Sequence, residues 1–339
     1  SDEMSARESI IPVFVPHLAC PNDCVFCNQR RIAGTQRPPE DPSEFLRSAV
    51  QKLSDRFTEV DIAFFGGSFT GLSKPEMAAY LRPAAELRRA DGRITGIRLS
   101  TRPDYITPDI LDFLLSYGVT AVELGAQSMS DEVLAASRRG HTAADTVRAC
   151  ELIKAYGFEL VLQFMPGLPQ DTPQSIDYTV RRINELRPDG VRIYPCVVIK
   201  DTALCDMYLT GGFTPLGVDE AADICSRACE LFMSSGIKIL RVGLHSSDLV
   251  RDDSVAAGPF HPAFGELTAQ RIYLRRARRL LSGTRRGEHV KLLVAKGHTS
   301  KMCGQHGQNL RILGAEFGIR LKVAEDPALK EYQIERTSI

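Results

Sequence analysis

Nowhere does the 339-residue chain carry an apolar run approaching the roughly eighteen residues that a membrane-spanning helix needs. Neither end shows a lipidation pattern and no apolar leader opens it, so a soluble protein away from the membrane is expected. Nine cysteines are an odd number for a disulfide scaffold and predict a reducing, cytoplasmic setting. Net charge is also missing, with 42 Lys/Arg against 42 Asp/Glu. That balance conceals an asymmetry: residues 270–339 hold 15 Lys/Arg and 6 Asp/Glu, a surplus of nine that the remainder of the chain cancels. A basic end on an acidic body points to an anionic partner for that end. With 43% hydrophobic residues, the chain can bury the core of one large domain with a small one beside it.

One further absence is more specific. The segment Cys20-Pro-Asn-Asp-Cys24-Val-Phe-Cys27 brings three cysteines into eight residues, with no fourth nearby. Iron–sulfur clusters are ordinarily held by four thiolates, so a compact trio leaves one iron open to an outside ligand. A zinc loop is the competing reading, with His17, three residues before Cys20, as fourth ligand. The spacing of three residues and then two resembles the radical S-adenosylmethionine (SAM) enzymes, and the resemblance implies a [4Fe-4S] cluster whose open iron chelates the amino and carboxylate groups of SAM.

From Ile10 onward, short β-branched or apolar runs alternate with amphipathic stretches, which predicts βαβ units and a parallel sheet. Strands are expected at 11–15, 60–65, 96–100, 121–124, 159–164 and 190–194, and helices at 43–54, 75–90, 108–117, 142–156 and 173–186. A helix at 218–235 and a strand at 237–242 would close the body. The expected fold is α/β, a partial (β/α)6 TIM-type barrel over residues 5–246, with a small basic α/β appendage over 247–339. In such a barrel the functional loops leave the C-terminal ends of the strands. The cysteine loop comes after the first strand, Gly66-Gly67-Ser68-Phe69-Thr70-Gly71 after the second and Ser100-Thr101-Arg102-Pro103-Asp104 after the third; Glu123 and Gln127 flank the end of the fourth, and Gln163 ends the fifth.

The glycine pair frees backbone for a ligand, although such a pair also serves as a plain turn. Glu123 in an apolar strand needs a donor, either a ligand hydroxyl or a neighbour such as Arg102. By resemblance to the superfamily, Gly66, Gly67 and Ser68 contact the amino group of SAM; Ser100, Glu123 and Gln163 are candidates for its ribose or carboxylate, and Arg139 for its carboxylate. Phe26, between two ligands, is suited to shield the cluster. The implied chemistry is one-electron cleavage of SAM to methionine and a 5′-deoxyadenosyl radical, which requires an external one-electron donor.

The motifs Phe64-Phe65-Gly66-Gly67-Ser68-Phe69-Thr70-Gly71, Ser100-Thr101-Arg102-Pro103-Asp104-Tyr105-Ile106, Val122-Glu123-Leu124-Gly125-Ala126-Gln127-Ser128, Arg139-Gly140-His141-Thr142 and Met165-Pro166-Gly167-Leu168-Pro169 form an ordered set. The set resembles the radical SAM region of the elongator catalytic-subunit family, which modifies the wobble uridine of tRNA. Members with the full activity carry an acetyltransferase domain after this region; the roughly 90 residues beyond it here are too few for one, so a short form without acetyl transfer is expected.

Residues 271–286 contain seven arginines and no acid, interleaved with Ile272, Leu274, Ala277, Leu280 and Leu281 at helical spacing. Arg275, Arg276, Arg278 and Arg279 are candidate phosphate ligands; the alternative is a helix face that packs on the acidic body. Farther on, Lys301 and the Gly304-x-x-Gly307 turn lie between a strand at 290–295 and a helix through Phe317, a pattern resembling part of a KH-type module, whose GxxG loop grips a nucleic-acid backbone. Cys225 and Cys229, four apart on one helix face, would suit a second cluster or, more simply, core packing. The leading expectation is a radical SAM enzyme acting on RNA, with a tRNA base as the expected target. The alternatives are a small-molecule or protein substrate, or a non-catalytic RNA-binding protein with a structural cluster.

Overall fold

The computed structural model describes residues 8–15, 20, 24–27, 38–244 and 254–338. His17 and the expected 246/247 boundary lie outside the described residues. The first part of the chain runs β1 (Glu8–Val15), α1 (Pro42–Gln51), β2 (Glu59–Gly66), α2 (Lys74–Ala90), β3 (Ile94–Thr101), α3 (Pro108–Ser116), β4 (Ala121–Gln127), α4 (Asp131–Ala136), α5 (Ala143–Ala155), β5 (Glu159–Phe164), α6 (Pro173–Leu186) and β6 (Gly190–Ile193). It continues through β7 (Val198–Ile199), α7 (Ala203–Leu209), α8 (Val218–Ser234), β8 (Lys238–Val242), β9 (Val255–Ala257) and α9 (Phe264–Leu280). The last part is β10 (His289–Val294), α10 (Thr299–Cys303), α11 (Gln308–Phe317), β11 (Arg320–Glu325) and β12 (Ile334–Ser338).

Seven strands form one parallel sheet in the order β1-β2-β3-β4-β5-β6-β8, the curled partial barrel that the sequence predicts, with β8 as the closing strand. The helices start where local chemistry directs them. Asp41, Ser73, Thr107, Thr142 and Thr172 each accept a backbone N–H at a helix N-terminus, and Pro42, Pro75, Pro108 and Pro173 stand in the first turn. Alternation along the strands divides the sheet into two unlike faces. Val60, Ile62, Phe64, Ile97, Leu99, Val122, Leu124, Leu160, Leu162, Val191 and Ile193 are buried in the main core with the helices. Asp61, Arg98, Ser100, Glu123, Gln163 and Arg192 alternate with them and face the barrel interior, where Arg98 pairs with Asp61 (2.7 Å) and Glu159 (3.5 Å). A barrel lined by paired charges instead of branched aliphatics is built to receive something polar.

The appendage is a second, smaller layer. Strands β11-β10-β12 form a mixed sheet, parallel between β10 and β11 and antiparallel between β10 and β12. Its core contains Tyr273, Leu274, Ala277, Leu281, Val290, Leu292, Val294, Met302, Leu313 and Ile319. The basic helix begins earlier than the arginine run indicated, at Phe264, and ends before Arg285 and Arg286. Its first turn enters the barrel core through Phe264 and its middle through Ile272, while Tyr273 and Leu274 enter the appendage core, so α9 is buried on two sides and joins the layers. Cys225 and Cys229 lie in the barrel core among Ala221, Ala222, Ala228 and Phe232, and burial pushes the Cys229 thiol up to about 12. They pack as small apolar groups.

Candidate active site

The rim segments converge on one cavity of about 160 Å³, lined by Cys20, Cys24, Phe26, Cys27, Gly66, Gly67, Ser68, Ser100, Thr101, Arg102, Glu123, Gly125, Gln127, Arg139 and Gln163. Every residue expected at the cofactor site from the sequence is therefore in one place. Larger clefts of about 810 and 640 Å³ flank α8, α9 and the β8 edge, but their walls hold no comparable set of soft ligands.

The cysteine turn is held from outside. Cys27 N–H donates to the Cys24 carbonyl (3.0 Å), Val25 N–H to the Ser137 carbonyl (3.2 Å), and Leu204 N–H to the Val25 carbonyl (2.8 Å). The Val25 side chain sits in a satellite core with Val133, Leu168, Cys196, Val198 and Leu204, and Phe26 packs against the same group. This core ties the ligand loop to α4, α7 and β7. Cys24 is buried, whereas Cys20 and Cys27 are partly open to the cavity.

The glycine turn is anchored by the aromatic and threonine residues just beyond it. Phe69 is fully buried against Phe64, with ring centroids 5.0 Å apart, and both pack near Tyr80. Thr70 Oγ1 and Thr101 Oγ1 lie 2.6 Å apart, which locks this turn to the end of β3. Gly66 has φ +107° and an added Cβ would stand 3.0 Å from the Val15 carbonyl, so only glycine fits. Gly125 performs a similar task at β4, where a Cβ would meet Gln127 Nε2 at 2.9 Å and Arg139 at 3.3 Å. The register between β4 and β5 shifts between Gly125 and Gln127, a bulge that turns the Gln127 side chain into the cavity.

Arg139 donates through one guanidinium nitrogen to the Cys24 thiol (3.4 Å) and through the other to the Gly125 carbonyl (2.7 Å). Glu123 accepts from Arg192 at 2.9 Å, both side chains nearly buried. Its partner is thus Arg192, two strands away, and not Arg102, the neighbour the sequence suggested, which instead holds Asp104 at 3.0 Å. Gln163 donates to Gln127 at 3.4 Å. Ser100 Oγ donates to the Phe64 carbonyl at 3.4 Å. From the sequence, Arg102 and Gln127 were placed at this rim without a role in binding, and Arg192 was not singled out. Arg192 was detectable as a charge at an inward position of a strand, while Gln127 is aimed by the bulge and Arg102 by Asp104 two residues on and by the distant Arg139 carbonyl.

His141 is buried behind this layer, with Nε2 3.2 Å from the Ala126 carbonyl. Burial, and then the nearby Arg139 and Arg102 charges, push its pKa down to about 4 from 6.5. The fold favours the neutral ring, so the contribution to stability is present above pH 6.5 and is lost as pH falls to about 4, at most about 3 kcal/mol. Urea unfolding at pH 7 and pH 5 is expected to show a smaller pH dependence for His141→Gln than for the unaltered chain; equal slopes would exclude this origin of acid sensitivity.

The basic residues of the appendage have a different arrangement. Arg275 donates to Glu230 (2.6 Å), Asp223 (3.1 Å) and Ser226 (2.7 Å) of α8. Arg279 also binds Glu230 (2.6 Å), Arg276 donates to the Tyr332 carbonyl (2.7 Å), and Arg278 pairs with Glu316 (2.9 Å). Each of the four arginines expected to meet phosphate already has an acceptor, and for Arg275 and Arg279 it belongs to the barrel helix α8. Packing on the acidic body, the alternative reading of this helix, describes the contacts of Arg275 and Arg279, whereas the hydrogen bonds of Arg276 and Arg278 stay within the appendage. Arg278 and Arg279 keep side chains 42% and 67% exposed. Lys301 lies 3.7 Å from Glu331. Gly304 and Gly307, at φ +74° and +73°, frame a turn between α10 and α11, with Gln305 and His306 exposed at its tip. Buried Asn309 braces the turn through the Gln270 and Met302 carbonyls.

Three thiols at one rim, a backbone-exposing glycine turn and two arginines beside the thiols fit a thiolate-bound cluster with a chelating anionic ligand. The sequence matches the radical SAM superfamily over residues 14–183 and the radical SAM C-terminal domain over residues 188–276. The chain belongs to the radical SAM superfamily. It is similar to the tRNA uridine(34) acetyltransferase of Methanocaldococcus jannaschii, with 37% identity over 142 residues that make up 41% of this chain and 26% of that protein. Elongator complex protein 3 of Saccharomyces cerevisiae is 28% identical over 258 residues, covering 64% of this chain and 46% of that protein. The chain thus spans between about a quarter and about half the length of these curated relatives. Among solved structures, Methanocaldococcus infernus Elp3 with an N-terminal deletion shares the fold, with TM-score 0.65 and 24% identity over 80% of this chain and 64% of that chain. The similarity is of the elongator catalytic-subunit type that the ordered motifs imply. Among the described residues, no helix is long and apolar enough to cross a membrane.

Proposed function

We propose that this protein holds a [4Fe-4S] cluster on Cys20, Cys24 and Cys27, cleaves SAM reductively, and directs the resulting radical to RNA, with a tRNA base as target. The observation that carries the reading is the convergence of the three thiols with Gly66, Gly67, Ser68, Arg139 and Gln163 around one cavity. When bound, the cluster supplies the electron that breaks the sulfonium–carbon bond of SAM. The chain's own residues bind and orient. Gly66 and Gly67 leave backbone open to the amino group of the methionine moiety, Arg139 offers a positive charge beside Cys24 to its carboxylate, and Ser100, Gln127 and Gln163 offer hydrogen-bonding groups to its polar edges. Glu123, fixed by Arg192, presents its carboxylate to the ribose side. Phe26 covers the cysteine turn and limits water. A one-electron donor is required from outside.

RNA as the substrate is supported by the names of the relatives and by the appendage. The exposed GxxG turn, flanked by Lys301, is suited to a nucleic-acid backbone, and Arg278 and Arg279 retain open surface toward phosphate. Arg275 and Arg276 serve docking in this reading. Replacing both exposed residues of the turn, Gln305→Asp with His306→Asp, adds negative charge without touching a core residue. It is expected to weaken tRNA binding about tenfold, close to 1.4 kcal/mol, in an electrophoretic mobility assay at fixed salt. Unchanged affinity would remove the turn from the RNA surface. The target itself is tested by comparing, by mass, the nucleosides of RNA from cells with and without the gene; identical profiles would move the chemistry to a small molecule or a protein.

A further inference from the structure

Arg102 is the largest of the fully buried side chains among the described residues, 2% exposed, and it lines the cysteine cavity. Two of its three guanidinium nitrogens are fully engaged: Nε donates to Asp104 Oδ1 (3.0 Å), and Nη2 donates to Asp104 Oδ2 (3.0 Å) and to the Arg139 carbonyl (2.7 Å). The Tyr105 ring stacks below the guanidinium at 5.4 Å. The third nitrogen, Nη1, is buried and has no hydrogen-bond partner among the described residues. An orphaned donor on a buried cation is costly, and native proteins retain such groups where a ligand completes them. Burial works against the charge of Arg102, but the hydrogen bonds and charge of Asp104, followed by the Cys20 and Cys24 thiolates, outweigh it and hold its pKa above that of a free arginine.

We propose that Arg102 is a positioning residue for the cluster, supplying its charge and its remaining N–H donor to the cysteine-bound group and thereby stabilising the reduced, more negative form. The proposal rests on the cluster reading given above. Its physical basis is that hydrogen bonds to the sulfurs and charges close to a cluster set its reduction potential. Asp104 is 24% exposed, whereas the Arg102 side chain is 2% exposed, so solvent screens the carboxylate more than the guanidinium and the pair leaves a positive field on the cavity side. Arg102 also carries the Arg139 backbone through its Nη2 bond, which couples the two arginines next to Cys24.

The test is a redox titration of the anaerobically reconstituted chain without SAM, followed by the electron paramagnetic resonance signal of the reduced cluster. Arg102→Gln is expected to lower the midpoint potential, Asp104→Asn to raise it, and Arg102→Lys to stay close to the unaltered protein, with iron content the same in all four. A role confined to bracing the loop would change iron occupancy without producing shifts of opposite sign. Unshifted potentials, or shifts of one sign in both variants, overturn the proposal. Should Arg102→Gln fail to load iron, Asp104→Asn decides alone, because asparagine removes the charge but keeps a side-chain oxygen that can accept from Arg102: a raised potential supports the proposal and an unchanged one overturns it. Absence of iron from the unaltered protein would overturn the cluster reading itself, and is seen before any variant is titrated.

Discussion

Changing Cys20, Cys24 and Cys27 together to alanine is expected to take iron uptake on anaerobic reconstitution from about four per chain to none, and to abolish release of 5′-deoxyadenosine from SAM under reducing conditions. The fold is expected to survive. The ligand turn is held by backbone hydrogen bonds from Val25 to Ser137 and from Leu204 to Val25, and by the Val25 side chain in its satellite core, none of which involves a thiol of the trio. Far-ultraviolet circular dichroism should therefore overlay that of the iron-free unaltered protein. Metal analysis of the unaltered protein discriminates against zinc: a protein isolated without oxygen that contains zinc and no iron would overturn the radical reading. A cluster-loaded protein that never cleaves SAM would instead favour a structural cluster in an RNA-binding protein.

The second large effect is expected at Glu230. Its carboxylate is 16% exposed and receives Arg275 and Arg279 at 2.6 Å, with Arg276 at 3.7 Å. Glu230→Ala leaves these guanidinium groups clustered at the joint between α8 and α9 without their shared counter-charge. Removing one partner of a partly buried charge network costs on the order of 3 kcal/mol, and denaturant unfolding of the variant should show that loss. Because the arginines lie on the helix common to both cores, the appendage is expected to unfold before the barrel, as a separate earlier transition. Arg271→Ala is the control: its partner Asp219 is 91% exposed, and loss of such a surface pair is expected to change stability by less than about 1 kcal/mol. Equal stability of Glu230→Ala and the unaltered chain would show that the layers are joined by apolar contacts alone.

The strands and helices of the barrel were legible because each is written in local patterns: β-branched runs of period two, helices opened by Ser, Thr or Asp with Pro in the first turn, and loops at one rim. The short elements α4, α7, β7 and β9 were not, since six or seven residues of helix, or two or three of strand, carry too little periodicity to separate from loop. The start of α9 was also obscured, because Phe264–Gln270 lacks the arginines that made the rest of the helix conspicuous.

For the site, sequence alone determined the chemistry: three thiols with no fourth, the glycine turn one unit later, and the polar residues at successive strand ends, all encoded in short local motifs. Which charge meets which was decided only by the tertiary structure. Glu123 finds Arg192, 69 positions away, because the registers of β4, β5 and β6 set Arg192 level with Gly125, two residues beyond Glu123 on the same face of the sheet and within reach of its long side chain. Arg102 is buried beside the cysteines because Asp104 and the Arg139 backbone hold it there, and the arginines of α9 meet acids on α8 because two cores share that helix. Ion pairs between distant segments arise from strand order and helix packing, which no local pattern records, and those same pairs set the charge that the cysteine cavity presents.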